Sequence, residues 1–232
     1  MVEQVESQSF GRGLRSALPI AIGYVPVAVA FGILGKGAGL PLPPVVGMSL
    51  LVFAGAAQFM ALSLLASGVA GAQIVLAVFL LNLRHLLFSA NLSRKLDTLR
   101  GALKPLLAFG ITDEVFSVAS SAERLKPSYL LGLELGAWGA WSGGTLIGYL
   151  AGDLLPPTLA AAFATGLYAL FASLGVWQIR SGGVRIAAVV LLSAGANAVL
   201  RLLLAVPAGW AFLLAMLFAA LAGTLLEEVS GE

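Results

Sequence analysis

Residues 70–90 read AGAQIVLAVFLLNLRHLLFSA, and this stretch decides the fold. It is uncharged and mostly apolar up to Asn82-Leu83-Arg84-His85, and again beyond it. About 20 such residues let one helix cross a hydrocarbon core ~30 Å thick. An ionisable group at that depth costs several kcal/mol unless it faces protein or water, so the cluster marks a candidate solute path. Thr112-Asp113-Glu114, and Asn197 with Arg201, form two further clusters of this kind.

The rest of the chain supplies the bilayer context. Its hydrophobic fraction is 59% and its charged fraction 10%, against roughly 45–50% and 25% in soluble domains. Apolar runs near 16–35, 45–66, 70–90, 129–151, 157–176, 184–203 and 208–226 predict seven transmembrane helices. The runs lack the alternation of a transmembrane β-strand, so the backbone must satisfy itself as helix. The expected fold is an all-α, polytopic helical membrane protein, with 1–232 as a single integral membrane domain. The first run reads as an uncleaved span rather than a signal peptide.

Several function classes fall away. With no cysteine, disulfides, thiolate metal sites and redox pairs are excluded. One histidine leaves little for zinc, and no nucleotide-binding or hydrolase motif occurs. Neither a metal, a cofactor nor an enzyme activity is expected. The net charge of +2 lies in loops, with no aromatic-interleaved basic surface for nucleic acid.

Residues 105–122 fit either an eighth span or a re-entrant helix, because Asp113 and Glu114 fall near the middle of the segment. Lys and Arg concentrate on the cytoplasmic side. Seven spans with an outside N-terminus gather Lys36, Arg94, Lys95, Arg100, Lys104, Arg124, Lys126, Arg180 and Arg185 inside, leaving Arg12 and Arg15 outside. The expectation is therefore seven spans with 105–122 dipping in from the cytoplasm, although the two N-terminal arginines argue for an inside tail.

Sliding 16–45 onto 129–158 gives eight identities in thirty, including Gly23 on Gly136, Gly35 on Gly148 and Leu42-Pro43-Pro44 on Leu155-Pro156-Pro157. Roughly three would arise by chance in so biased a composition. A degenerate duplication with halves 16–122 and 129–226 follows, inverted under the seven-span map. Matching helix interruptions are expected at Gly23-Tyr24-Val25-Pro26 and at 136–144, through Trp138 and Trp141. Close helix crossing at small residues explains the same glycines.

Candidate site residues follow from the clusters. Gln58 offers an amide at mid-membrane depth, for substrate or for an interhelical hydrogen bond. Asn82, His85 and Ser89 share a helix face, and Arg84 lies beside it. Arg84 suits a carboxylate but sits close enough to the helix end to snorkel. His85 titrates near neutral pH when unperturbed, which suits a proton-coupled step. Asp113 shares a face with Ser117 and Ser121, whereas Glu114 diverges by about 100°. Thr112 or Asp113 also fits the N-cap of a short helix. Arg201 is expected to snorkel and Glu134 to lie at the interface.

Four separate segments resemble the AzlC family, the large subunits of bacterial branched-chain amino acid exporters. They are Phe31-Gly32-Ile33-Leu34; Met48-Ser49 with Phe53-Ala54-Gly55-Ala56-Ala57-Gln58-Phe59; Asn82-Leu83-Arg84-His85-Leu86-Leu87; and Thr112-Asp113-Glu114-Val115-Phe116. The resemblance implies a multi-pass protein of the bacterial inner membrane. It also implies export of leucine, isoleucine, valine and methionine on the proton gradient, with a small AzlD-like membrane subunit.

The residues expected to contact substrate are Gly23, Tyr24, Pro26, Phe53, Gln58, Phe59, Asn82, Arg84, Trp138 and Trp141. Those expected to respond to protons are His85, Asp113 and Glu114. A membrane-embedded enzyme on a lipid-like substrate and a non-transporting assembly subunit are the competing classes. Homo-oligomerisation is left open.

Overall fold

The computed structural model describes residues 8–96, 103–152, 154 and 157–228. Glu3, Glu6, Arg100 and the Leu155-Pro156 end of the repeat lie outside the described residues. The chain divides into two compact units, 1–62 with 78–163 and 63–77 with 164–232.

Every named element is a helix. They are α1 (Phe10–Ser16), α2 (Leu18–Gly37), α3 (Leu42–Leu51), α4 (Gly55–Ala66), α5 (Gly71–Asn82), α6 (Arg84–Ser93), α7 (Leu103–Phe109), α8 (Asp113–Ser120), α9 (Pro127–Ala151), α10 (Pro157–Leu202) and α11 (Ala208–Glu228). Among the described residues, three stretches are long and apolar enough to span a bilayer: Leu18–Gly37, Gly71–Ser93 and Gly183–Leu202. The fold is all-α and polytopic, as the apolar runs predict.

The first unit is built on α2 and α9. The two run parallel: Ala17 meets Gly136, Ala28 meets Gly144, and Val29 meets Gly148. Their backbones touch. A Cβ on Gly32 would fall 2.2 Å from Thr145 O, and one on Gly148 would fall 2.1 Å from Val29 O. Lipid is as apolar as leucine, so this seam is held by close van der Waals contact rather than by exclusion of water.

The seam corrects two expectations. Residues 23–26 and 136–144 interrupt nothing: α2 runs unbroken through Pro26, and α9 is continuous over 25 residues. Gly136 and Gly144 serve packing. The first helices of the two repeat copies are parallel neighbours, so those segments are not inverted relative to one another.

The expected span at 45–66 is also corrected. α3 descends beside α9, with Ser49 on Thr145 and then Leu50 on Trp138. The helix breaks at 52–54, where Phe53 takes φ 46°, a left-handed conformation rarely adopted by a bulky residue. α4 then climbs back, from Gly55 against Trp141 to Phe59 against Phe31. The segment is a hairpin that enters and returns.

Residues 105–122 are not one helix either. α7 and α8, of 7 and 8 residues, flank a break at 110–112. The segment leaves from Leu96 and returns to Leu125, which bridge each other. Lys95 Nζ donates to Ser120 O at 2.5 Å and Ala122 O at 3.1 Å, closing the C-terminal end of α8. By contrast, α5 and α6 form one 23-residue apolar run with an i→i+3 tightening at Leu83.

Gln8 joins this same end of the unit. Gln8 Nε2 donates to Arg124 O at 2.9 Å, and Lys126 N donates to Gln8 Oε1 at 2.8 Å. Arg12, Arg15, Arg94, Lys95, Arg124 and Lys126 thus share one end, which charge bias assigns to the cytoplasm. Lys36 closes the opposite end of α2, over the Tyr149 ring. Arg12 and Arg15 therefore lie with the other basic residues rather than opposite them, as the outside-N-terminus map expected, and Lys36 lies apart from them at the other end.

In the second unit, Gly183 divides α10 into two helices at φ 64° and ψ −153°, backbone angles that favour glycine. Gly209 lets α11 start against the Gln73 side chain.

Candidate functional site

The two breaks adjoin. The Phe53 and Phe109 rings have centroids 6.2 Å apart, and Tyr24 of α2 reaches both hairpin tips. Its ring lies edge-on to Phe53 at 6.3 Å and to Trp141 at 5.2 Å. Its hydroxyl hydrogen-bonds Thr112 Oγ1 at 2.8 Å and also the Glu114 carboxylate. Thr112 doubles as N-cap of α8, accepting from Val115 N at 3.3 Å.

A dry polar network fixes the first break. Gln58 is 1% exposed, and Ser49 and Thr145 are fully buried. Gln58 Nε2 donates to Ser49 Oγ at 2.9 Å, and the Ser49 and Thr145 hydroxyls pair at 2.8 Å. Gln58 Oε1 accepts from Trp141 Nε1 at 3.0 Å and Ala54 N at 3.2 Å. Trp138 Nε1 donates to Leu50 O at 3.1 Å, at the last turn of α3. Gln58, Trp138 and Trp141 therefore tie α9 to the broken backbone. Each buried bond of this kind is worth about 1 kcal/mol, and an orphaned partner costs more.

A charged pair flanks the second break. Arg84 Nη2 lies 2.9 Å from Asp113 Oδ2, with both side chains about two-fifths exposed at 38% and 43%. Arg84 Nε and the neighbouring Asn82 Oδ1 are buried without a partner. His85 is half-buried, its ring 5.9 Å from Phe88, which stacks on Phe116 of α8 at 4.5 Å.

The structure thus brings Tyr24, Phe53, Gln58, Phe59 and Trp141 together, with Arg84, Asp113 and Glu114 at the second tip. Gly23 and Pro26 are exposed, and nothing lies within 4 Å of a Cβ built on Gly23. Ser120 and Ser121 return their hydroxyls to Ser117 O, so the serine face beyond Asp113 serves its own backbone. In the second unit, Asn197 Oδ1 is buried and unpartnered while Arg201 is exposed.

Sequence reasoning missed Ser49, Thr145 and Phe109. Glu134, expected at the interface, is enclosed by protein at 3% exposed. The signal for Thr145 was available in its spacing of four from Trp141 on one helix face.

This geometry defines a class: a polytopic helical membrane protein in which two broken hairpins meet around a polar interior. Comparison then places it more narrowly. Residues 19–155 match the AzlC protein family. An uncharacterised membrane protein of Archaeoglobus fulgidus is 39% identical over 98% of both chains. The inner membrane protein YgaZ of Escherichia coli is 35% identical over 72% of each. The branched-chain amino acid transport protein AzlC of Bacillus subtilis is 30% identical over 45% of this chain and 41% of its own. No solved structure matches significantly. The chain belongs to the AzlC family, a transporter family rather than an enzyme family. It is a multi-pass membrane protein.

Proposed function

We propose that this protein exports branched-chain amino acids across the inner membrane, driven by protons. The observation that carries the proposal is the meeting of two helix breaks at Tyr24. Non-helical backbone is tolerated at membrane depth only inside protein or beside a water-filled path, and transporters use such breaks to hold substrate. α4 and α8 both begin here, so their amide ends face the junction. Gln58 takes up the Ala54 amide and Thr112 that of Val115, which leaves Gly55 and Ala56 for a substrate carboxylate.

Asp113 and Glu114 would receive the ammonium, with Asn82 and Arg84 orienting the molecule. Phe53, Phe59 and Phe109 would meet the aliphatic tail. His85, Asp113 and Glu114 are the proton-responsive groups in this scheme. The named Bacillus relative supports the substrate class.

The family supports a small AzlD-like subunit as partner. We take the whole chain as one membrane domain, with crossings near 16–35, 70–90, 129–151, 157–176, 184–203 and 208–226 in addition to the two hairpins. A duplication of 16–122 and 129–226 fits this scheme with its leading helices parallel.

The test is counterflow of radiolabelled leucine in proteoliposomes, with and without the small subunit. Counterflow is expected in the wild type and lost in Asn82→Ala with folding intact. Unchanged counterflow in that variant removes Asn82 from the site.

A further inference from the structure

Glu134 has no role in the scheme above, yet among the described residues of the first unit it is the most enclosed acid, at 3% exposed. Its Oε1 is buried with no hydrogen-bond partner. The side chain lies along Gly110, where an added Cβ would fall 2.5 Å from Glu134 Cδ and 2.6 Å from Cγ. Gly110 opens the break at 110–112, two residues from the Thr112 that holds Tyr24. The carboxyl thus rests directly on the backbone of the second hairpin tip.

The helices packed on α9 are α1, α2, α3, α4, α7 and α8. Their titratable and charged groups are Arg12 and Arg15 on α1, Tyr24 and Lys36 on α2, Lys104 on α7, and Asp113 and Glu114 on α8; α3 and α4 carry none. Glu134 forms no ion pair with any of them. Tyr24 is engaged by Thr112 and Glu114, and Asp113 by Arg84.

A carboxylate held dry with neither cation nor donor costs several kcal/mol, whereas the neutral acid bears no such cost. An intramembrane acid of this kind is a seat for a moving proton. We propose that Glu134 carries the coupling proton, and that the tip at Gly110 gates its exchange with water at the cytoplasmic end of α9. When the tip withdraws, the carboxyl O–H bond breaks and the proton passes to incoming water. The carboxylate stays hydrated until a proton taken up from the opposite side of the membrane restores the neutral acid and the tip closes, so each cycle carries one proton across. This inference rests on the transport reading and adds to it the group that couples.

The experiment compares wild type, Glu134→Gln and Glu134→Asp in proteoliposomes, each checked for folding by monodisperse elution. Leucine counterflow needs no net proton movement; transport driven by an imposed pH gradient does. The expected result is that Glu134→Gln keeps counterflow and loses gradient-driven transport, while Glu134→Asp recovers part of it.

Gradient-driven transport intact in Glu134→Gln overturns the inference alone. Loss of counterflow together with driven transport in a folded Glu134→Gln overturns it too, since the role is then substrate binding or packing. If Glu134→Gln does not fold, Glu134→Asp decides: driven transport as absent as in empty vesicles, with counterflow intact or lost, is the contrary result. Wild type without counterflow sinks the transport reading itself.

Discussion

The rings of Phe53 and Phe109, 56 positions apart in sequence, lie 6.2 Å centroid to centroid at the tips of two separate hairpins. Both tips sit where a helix has stopped and another begins. Tyr24 bridges them with its ring on one side and its hydroxyl on the other. The mechanism proposed above depends on this junction, and the following outcomes test its parts.

Tyr24→Phe keeps the ring contacts to Phe53 and Trp141 and removes only the hydroxyl bonds to Thr112 and Glu114. Stability should fall by about 1.5–3 kcal/mol, the range for one hydrogen bond to a charged group. Leucine counterflow should fall much further than thermal unfolding in detergent implies. Equal, small effects on both would reduce Tyr24 to packing.

Gly148→Ala should be poorly tolerated, because its Cβ would fall 2.1 Å from Val29 O. Overpacking of this kind costs about 1–3 kcal/mol. Gly23→Ala should be neutral, since nothing lies within 4 Å of that position. Melting temperatures of the two purified variants settle the contrast. A destabilised Gly23→Ala would restore a special role for residues 23–26.

Gln58→Ala strips partners from Ser49, Trp141 and the Ala54 amide, all buried. A loss of about 1–3 kcal/mol is expected for leaving such groups unpaired. Denaturation of the variant in detergent should show it, and Gln58→Glu should not rescue it.

Arg84 and Asp113 are each about two-fifths exposed, at 38% and 43%, so their pair should contribute little to folding. A double-mutant cycle on unfolding should give a coupling of about 1 kcal/mol or less. Counterflow should nevertheless drop in each single variant. A large folding coupling with normal counterflow would make the pair purely structural.

The membrane class, the helical backbone and most polar clusters were legible in the sequence, because uncharged runs of about 20 residues admit few other readings. Gln58, Arg84 and Asp113 stood out because polar groups are costly among apolar ones. The hairpins were not legible. Residues 45–66 have the length and composition of a span, and nothing local marks Phe53 as the break; the left-handed turn there is held by Gln58 from the next helix. Glycine patterning misled in the opposite sense. At 136–144 it suggested an interruption, whereas those residues allow α9 to touch α2. That Arg12 and Arg15 share an end with Arg124 and Lys126 depended on a contact, Gln8 to Arg124, that charge counting alone does not contain.

The most direct test of the junction is substrate protection at its free amide end. The chain has no cysteine, so a single Ala56→Cys reports without background. Its labelling by a small thiol reagent is measured in proteoliposomes with and without leucine. Leucine occupying the junction should slow labelling of a variant that still supports counterflow. Identical rates with and without leucine in that active variant would contradict a substrate site between the two helix breaks.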